Sequence, residues 1–245
     1  MAAGAGNGAG SILVVGAHAA DFVWRAAGAI ALHTERGWRA TVVALSYGER
    51  GESGDLWNQP DQSLETVKRI RREECTAAAA AIGADLVAFD LGDYPLVVSE
   101  TALERLADLL RESAPDVLIT HTATDPFNPD HPVASGAADR ARKLAMGAAG
   151  IASAFKTIPA PRMYFFEPHH PEQCDFRPDT FVDFTSVAAR KESAMAAMAA
   201  QSYLRVHYRQ RAEQRAYQAR YFGAGPETRC VEAFQRVTPH LVARL

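Results

Sequence analysis

The stretch SILVVGAHAADFVWRAAGAIALHTERG, Ser11 to Gly37, decides the fold. It opens as a continuous apolar run, the pattern of a strand buried on both faces of a parallel sheet. From Phe22 to Arg36 the pattern turns helical, and Gly37 stands where a C-cap glycine ends a helix. A buried strand that runs through a short turn into a helix is the first half of a strand–helix–strand unit. The turn itself carries His18 and Asp21, three residues apart, so both can face one point at the start of a helical turn. Between them lie Ala19 and Ala20, which can neither bind a metal nor move a proton.

The same alternation continues along the chain. Arg39 to Gly48 reads as a second strand, followed by the polar loop GERGESGDLWNQPDQS and a helix running to Gly83. Asp85 to Asp93 is a third strand. Thr101 to Ala114 is an amphipathic helix with Leu103, Leu106 and Leu110 on one stripe. Pro115 to His121 is a fourth strand, and the loop TATDPFNPDH leads into a helix over Pro132 to Ala149. Strands at Arg162 to Glu167 and Thr180 to Phe184 precede helices at Val187 to Gln201 and Tyr208 to Arg220. The pattern predicts an α/β fold, a Rossmann-like three-layer sandwich with a mainly parallel sheet. One domain spans residues 11–245, after a low-complexity leader over 1–10 (MAAGAGNGAG) that reads as disordered.

Ligands bind such sheets beyond the carboxyl ends of the strands. His18, Glu49, the segment His121 to His131, and His169 all follow strands and can converge there. His18, Asp21 and His131 form a three-ligand set that leaves the open position of a catalytic zinc site. The bulk composition limits the alternatives. A net charge of −3 with both signs interspersed gives no reason to expect a nucleic acid or an anionic membrane as partner. Three scattered cysteines, Cys75, Cys174 and Cys230, suit a reducing cytoplasm and not a disulfide framework. No apolar run reaches the length of a membrane span.

With these flanks the chain resembles the LmbE-like/PIG-L family of zinc-dependent N-acetylglucosaminyl deacetylases along most of its length. The family's opening A-H-P-D-D-E stands here as AHAADF, its Gly-Glu loop as YGERGES, and its R-x-x-E helix as RREECTAAAAAIG, where Arg71 and Glu74 match. Its H-P-D-H stands as NPDH, and its closing strand and helix as FVDF and AAQS. The resemblance implies one zinc ion on His18, Asp21 and His131, with Asp130 beside the last ligand as an orienting acid. It also implies a homo-oligomer.

The departures are as informative. The family's general base, the first Asp of D-D, is Ala20 here, the following Glu is Phe22, and the first His of H-P-D-H is Asn128. A methyl group cannot take a proton, and loss of a general base lowers a rate by about 10²- to 10⁴-fold. The opening AHAADFVWRAAGAIAL in turn resembles the 4-oxalomesaconate hydratases, which use this fold in gallate degradation. That resemblance implies hydration of a carbon–carbon double bond in an oxo-tricarboxylate, giving 4-carboxy-4-hydroxy-2-oxoadipate. The acid and base would then come from other loops: Glu49, with Glu52 as its rival, and His169 or His170, with His169 the nearer to its strand. Arg50, Arg71 and Arg25 are candidate carboxylate clamps, and Asn128 joins the substrate-binding group. Two other readings remain open: a deacetylase with a relocated base, and a non-catalytic metal-binding relative.

Overall fold

A computed structural model of the chain describes residues 10–147 and 153–239. Strand β1 (Ser11–Gly16) is buried along its whole length, as its unbroken apolar run requires of a central strand. It pairs in parallel with β2 (Arg39–Ala44) on one side and β4 (Val117–Thr120) on the other. With β3 (Asp85–Ala88), β5 (Arg162–Phe166), β6 (Thr180–Asp183) and β7 (Val231–Arg236) they form one seven-stranded sheet. Its order is β3-β2-β1-β4-β5-β7-β6. The first five strands are mutually parallel, whereas β7 runs antiparallel to both β5 and β6.

Alternation along the strands feeds two cores. Ile12, Val14, Val42 and Ile119 pack toward α2 (Ala27–Glu35), α4 (Leu64–Ile82) and α7 (Ala188–Ala197). Leu13, Val15, Val43 and Leu118 pack toward α5 (Glu100–Ser113) and α6 (Asp130–Met146). Leu103, Leu106 and Leu110 of α5 are buried as the stripe predicts, each contributing about 1.5–3 kcal/mol. Side chains fix the helix starts: Ser63 accepts from Thr66 N before α4, and Ser99 from Ala102 N before α5. Among the described residues lie three further α-helices, α1 (Asp21–Arg25), α3 (Gly54–Trp57) and α8 (Leu204–Tyr221). No helix among the described residues is long and apolar enough to cross a membrane.

The structure departs from the sequence expectation at several boundaries; β2 ends at Ala44 instead of Gly48, α7 at Ala197 instead of Gln201, and α8 begins at Leu204 instead of Tyr208. The helix expected over Phe22 to Arg36 breaks at Ala26 (φ −141°), separating α1 from α2. The cause lies in β7, a strand the sequence reading lacked. Its Glu232 accepts from Gly28 N and Ala29 N at 2.8 and 2.7 Å, capping α2 from a distance, and pairs with buried Lys191 at 2.6 Å. The third strand ends at Ala88 instead of Asp93, because positive φ at Asp90 and Gly92 turns the chain across the sheet end. Helix α6 begins at Asp130, two residues early, which puts Asp130 and His131 in its first turn. The expected leader, apart from Gly10, and the last two residues of the helix expected to Ala149 lie outside the described residues.

Candidate active site and metal centre

The strand order reverses between β1 and β4, and the crevice above that reversal is where doubly wound sheets bind ligands. After β1 the chain turns into α1, setting His18 and Asp21 over the carboxyl end of the central strand. After β4 come His121, Asp125 and the first turn of α6 with Asp130 and His131. The loop after β2 brings Glu52 over the same point. One ligand atom each from His18, Asp21, Glu52 and His131 lies within 4.8 Å of the others.

Carboxylates fix both histidines from behind. His18 Nε2 donates to Asp130 Oδ2 at 3.2 Å, and His131 Nδ1 donates to Asp125 Oδ2 at 2.7 Å. Asp130 is itself anchored by Tyr94 N (2.9 Å) and Leu96 N (2.8 Å), and Asp125 by Phe127 N and Asn128 N. Burial pushes both carboxyls up, but these hydrogen bonds bring each down to about 2. The remaining ring nitrogens, His18 Nδ1 and His131 Nε2, are buried and have no hydrogen-bond partner among the described residues. Buried polar atoms are rarely left so.

Those orphaned nitrogens face carboxylates. His18 Nδ1 lies 3.1 Å from Glu52 Oε1 and 3.6 Å from Asp21 Oδ2. His131 Nε2 lies 3.7 Å from Asp21 Oδ1 and 4.0 Å from Glu52 Oε1. Donors around a tetrahedral ion with bonds of about 2.0–2.2 Å stand about 3.4 Å apart, so the cluster has the dimensions of such a site. Burial works to lower the His18 pKa, yet Glu52, Asp130 and Asp21 together raise it well above the ordinary value. A divalent cation would answer the same excess of negative charge. Nitrogen and oxygen donors with a hydrogen-bonded carboxylate behind each histidine fit zinc.

Glu52, and not Glu49, enters the centre. Glu49 is buried, but its carboxylate accepts from Tyr47 N at 3.2 Å and meets Lys68 Nζ at 3.4 Å, away from the cleft. Glu52 instead has Asn128 Nδ2 at 3.4 Å from Oε1 and Gln201 Nε2 at 3.5 Å from Oε2. Burial pushes its carboxyl up, but His18 opposes this and holds it at about 2. The close approach of this loop needs its glycines. Gly48 has φ +68°, and a Cβ there would lie 3.2 Å from the Cβ atoms of both Glu52 and His18. A Cβ on Gly51 would overlap the Tyr94 ring. Fully buried Asp93 ties the loop down, accepting from Arg50 N and Gly51 N at 2.9 and 2.7 Å.

The cleft above the centre has a free volume of about 280 Å³. Of the expected substrate-binding residues, Arg25 and Asn128 line it, as do His169 and His170. Arg25 pairs with Asp21 along α1. Arg50 and Arg71 do not reach the cleft. The Arg50 guanidinium turns to Asp93 O. Arg71 is fully buried and bonds Glu74 (2.8 Å), Gln201 Oε1 (2.9 Å) and Tyr47 O (3.2 Å). Its role is therefore packing: it fixes Gln201, whose amide faces Glu52. Ala20 is fully buried in the apolar cluster under α1 and offers the cleft nothing polar. Tyr94, Gln201 and Tyr208, none of them among the residues expected from the sequence, also line the cleft. Only Gln201 carried a sequence signal, through the AAQS segment.

The fold and site define a class: a doubly wound α/β protein with a histidine–carboxylate centre at the sheet's switch point. The chain belongs to the PIG-L family, whose model, described as GlcNAc-PI de-N-acetylase, matches residues 13–142. It is 50% identical over 210 residues to the 4-oxalmesaconate hydratase of Pseudomonas putida, covering 86% of this chain and 81% of that protein. The crystal structure of GalB, the 4-carboxy-2-hydroxymuconate hydratase of the same bacterium, superposes with a TM-score of 0.93 at 46% identity, covering 96% of this chain and 99% of that one. The N,N'-diacetylchitobiose deacetylase of Pyrococcus horikoshii shares the fold, with a TM-score of 0.77 at 18% identity over 93% of this chain and 83% of that one.

Proposed function

We propose that this chain is a hydro-lyase that adds water across the carbon–carbon double bond of 4-oxalomesaconate, giving 4-carboxy-4-hydroxy-2-oxoadipate. One observation carries the reading: the histidine–carboxylate centre is complete while position 20 holds a buried alanine. The turn that carries His18 and Asp21 supplies no proton acceptor of the kind a deacetylase uses there, so the base comes from another loop. Half-identity to a hydratase over most of both chains supports the same conclusion. The two hydratases' names denote the keto and enol tautomers of one carbon skeleton, so they agree on substrate class.

His18, Asp21 and His131 would hold the zinc ion, with Asp130 and Asp125 orienting the two imidazoles. A bound ion supplies a Lewis acid and positive charge at the floor of the cleft. Every other task falls to the chain. Glu52, ionised and held by Asn128 and Gln201, takes a proton from water as its oxygen bonds to the carboxyl-bearing carbon. Glu52 then delivers that proton to the neighbouring carbon and returns to its ionised form, so one water is consumed and the charge balances. His169, on the cleft wall, faces the oxygen on which negative charge builds. Arg25 offers its guanidinium to a substrate carboxylate, and His170, against Phe127, also lines the cleft. A cytoplasmic homo-oligomer acting on this small molecule completes the proposal. Hydration in ¹⁸O-labelled water should place the label in the product hydroxyl, read as a mass gain of the hydroxy acid. An unlabelled product, or none, would contradict the reading.

A further inference from the structure

His169 is held by a tyrosine that none of the roles above uses. Its Nδ1 lies 3.0 Å from the hydroxyl of Tyr208 on α8. The His207 ring lies parallel to it, with centroids 4.4 Å apart and planes within 7°. Tyr208 in turn stacks on Trp24 of α1 at 5.5 Å. Aromatic planes from two helices thus fix both the phenol and the imidazole. Tyr208 is only 5% exposed, and His169 Nδ1 is its one hydrogen-bond partner among the described residues.

A buried phenol must place its single proton somewhere. With only Nδ1 in reach, it donates there; the reverse arrangement would leave the O–H unsatisfied. An imidazole that accepts at Nδ1 carries its own proton on Nε2. The ring lines the cleft, and Nε2 bonds no other described residue. We propose that Tyr208 is a positioning residue that holds His169 as the neutral Nε2–H tautomer, making His169 a hydrogen-bond donor to the substrate and not a base. Both groups keep these forms at neutral pH. Burial, followed by Arg25 and His207, brings His169 down to about 4, and burial pushes the Tyr208 phenol up to about 12.

The assignment rests on the hydratase reading for its chemical meaning and gives that reading a division of labour. Glu52 carries the proton from water to carbon, and His169 stabilises oxygen charge without exchanging one.

The test uses the zinc-loaded enzyme with ¹⁵N-labelled histidine. Long-range ¹H–¹⁵N correlation reports which ring nitrogen is protonated, and the His169 signals are those lost in His169→Gln. The wild-type ring should show an unprotonated Nδ1 and a protonated Nε2. Tyr208→Phe should convert this to a mixture of tautomers and lower kcat roughly 10- to 100-fold, with KM little changed. Protonation at Nδ1 in the wild type, or a pattern unmoved by Tyr208→Phe, overturns the proposal. The wild-type spectrum decides the matter even if the variant fails to fold. The predicted tautomer in an enzyme that hydrates no oxo-tricarboxylate would uphold the assignment and overturn the hydratase reading.

Discussion

Glu52→Gln keeps the shape of the side chain and its neighbours Asn128 and Gln201 but removes its capacity to accept a proton. The expected result is a fall in kcat of about 10²- to 10⁴-fold with bound zinc retained, measured by steady-state kinetics beside metal analysis. Zinc lost together with activity would make Glu52 a ligand. At the same scale, burial and nearby cations hold His169 at about 4. A depressed histidine is neutral above that value and charged below it. Its ring resonances should therefore stay flat from pH 8 down to about 5.5, whereas an unperturbed imidazole would titrate near 6.5. The residues legible in the sequence were those whose neighbours lie close in the chain. His18 and Asp21 share one turn, and Asp130 and His131 are adjacent. The sequence does not separate Glu49 from Glu52, because their placement depends on distant contacts: Glu49 meets Lys68, while Glu52 joins His18, Asp21 and His131.

Among the elements, α4 shows how a motif can be visible while its purpose is not. From the sequence Arg71 reads as a carboxylate clamp, and that reading misses the partner. Gln201, 130 residues away, accepts from Arg71, while Glu74 accepts from Ala200 N at 2.8 Å. The pair thus fastens the turn after α7 onto α4 and sets the amide that faces Glu52. Arg71→Ala leaves the Glu74 carboxylate unpaired in the interior and should cost about 3–5 kcal/mol, read from the urea midpoint. A loss below about 1 kcal/mol would show a solvated surface pair instead. Strand β7 was hidden for a related reason. Its VEAFQR reads as polar, and Glu232 is buried only because Lys191 and the start of α2 await it.

For the whole molecule, the sheet was the most legible feature. Continuous apolar runs separated by helices leave few alternatives to a parallel core, and the switch point between β1 and β4 then sets where ligands gather. The antiparallel β7–β6 edge was not legible, since long-range pairing leaves little periodic trace in six residues. At that switch point the chain holds a histidine–carboxylate cluster with a buried alanine at position 20, the combination on which the hydratase proposal rests. The most direct measurement follows 4-oxalomesaconate with the zinc-loaded protein, beside His18→Ala and His131→Ala. The expected result is loss of the conjugated absorbance with formation of the hydroxy acid, abolished together with bound zinc in both variants. No hydration, with release of acetate from N-acetylglucosaminyl compounds instead, would contradict it.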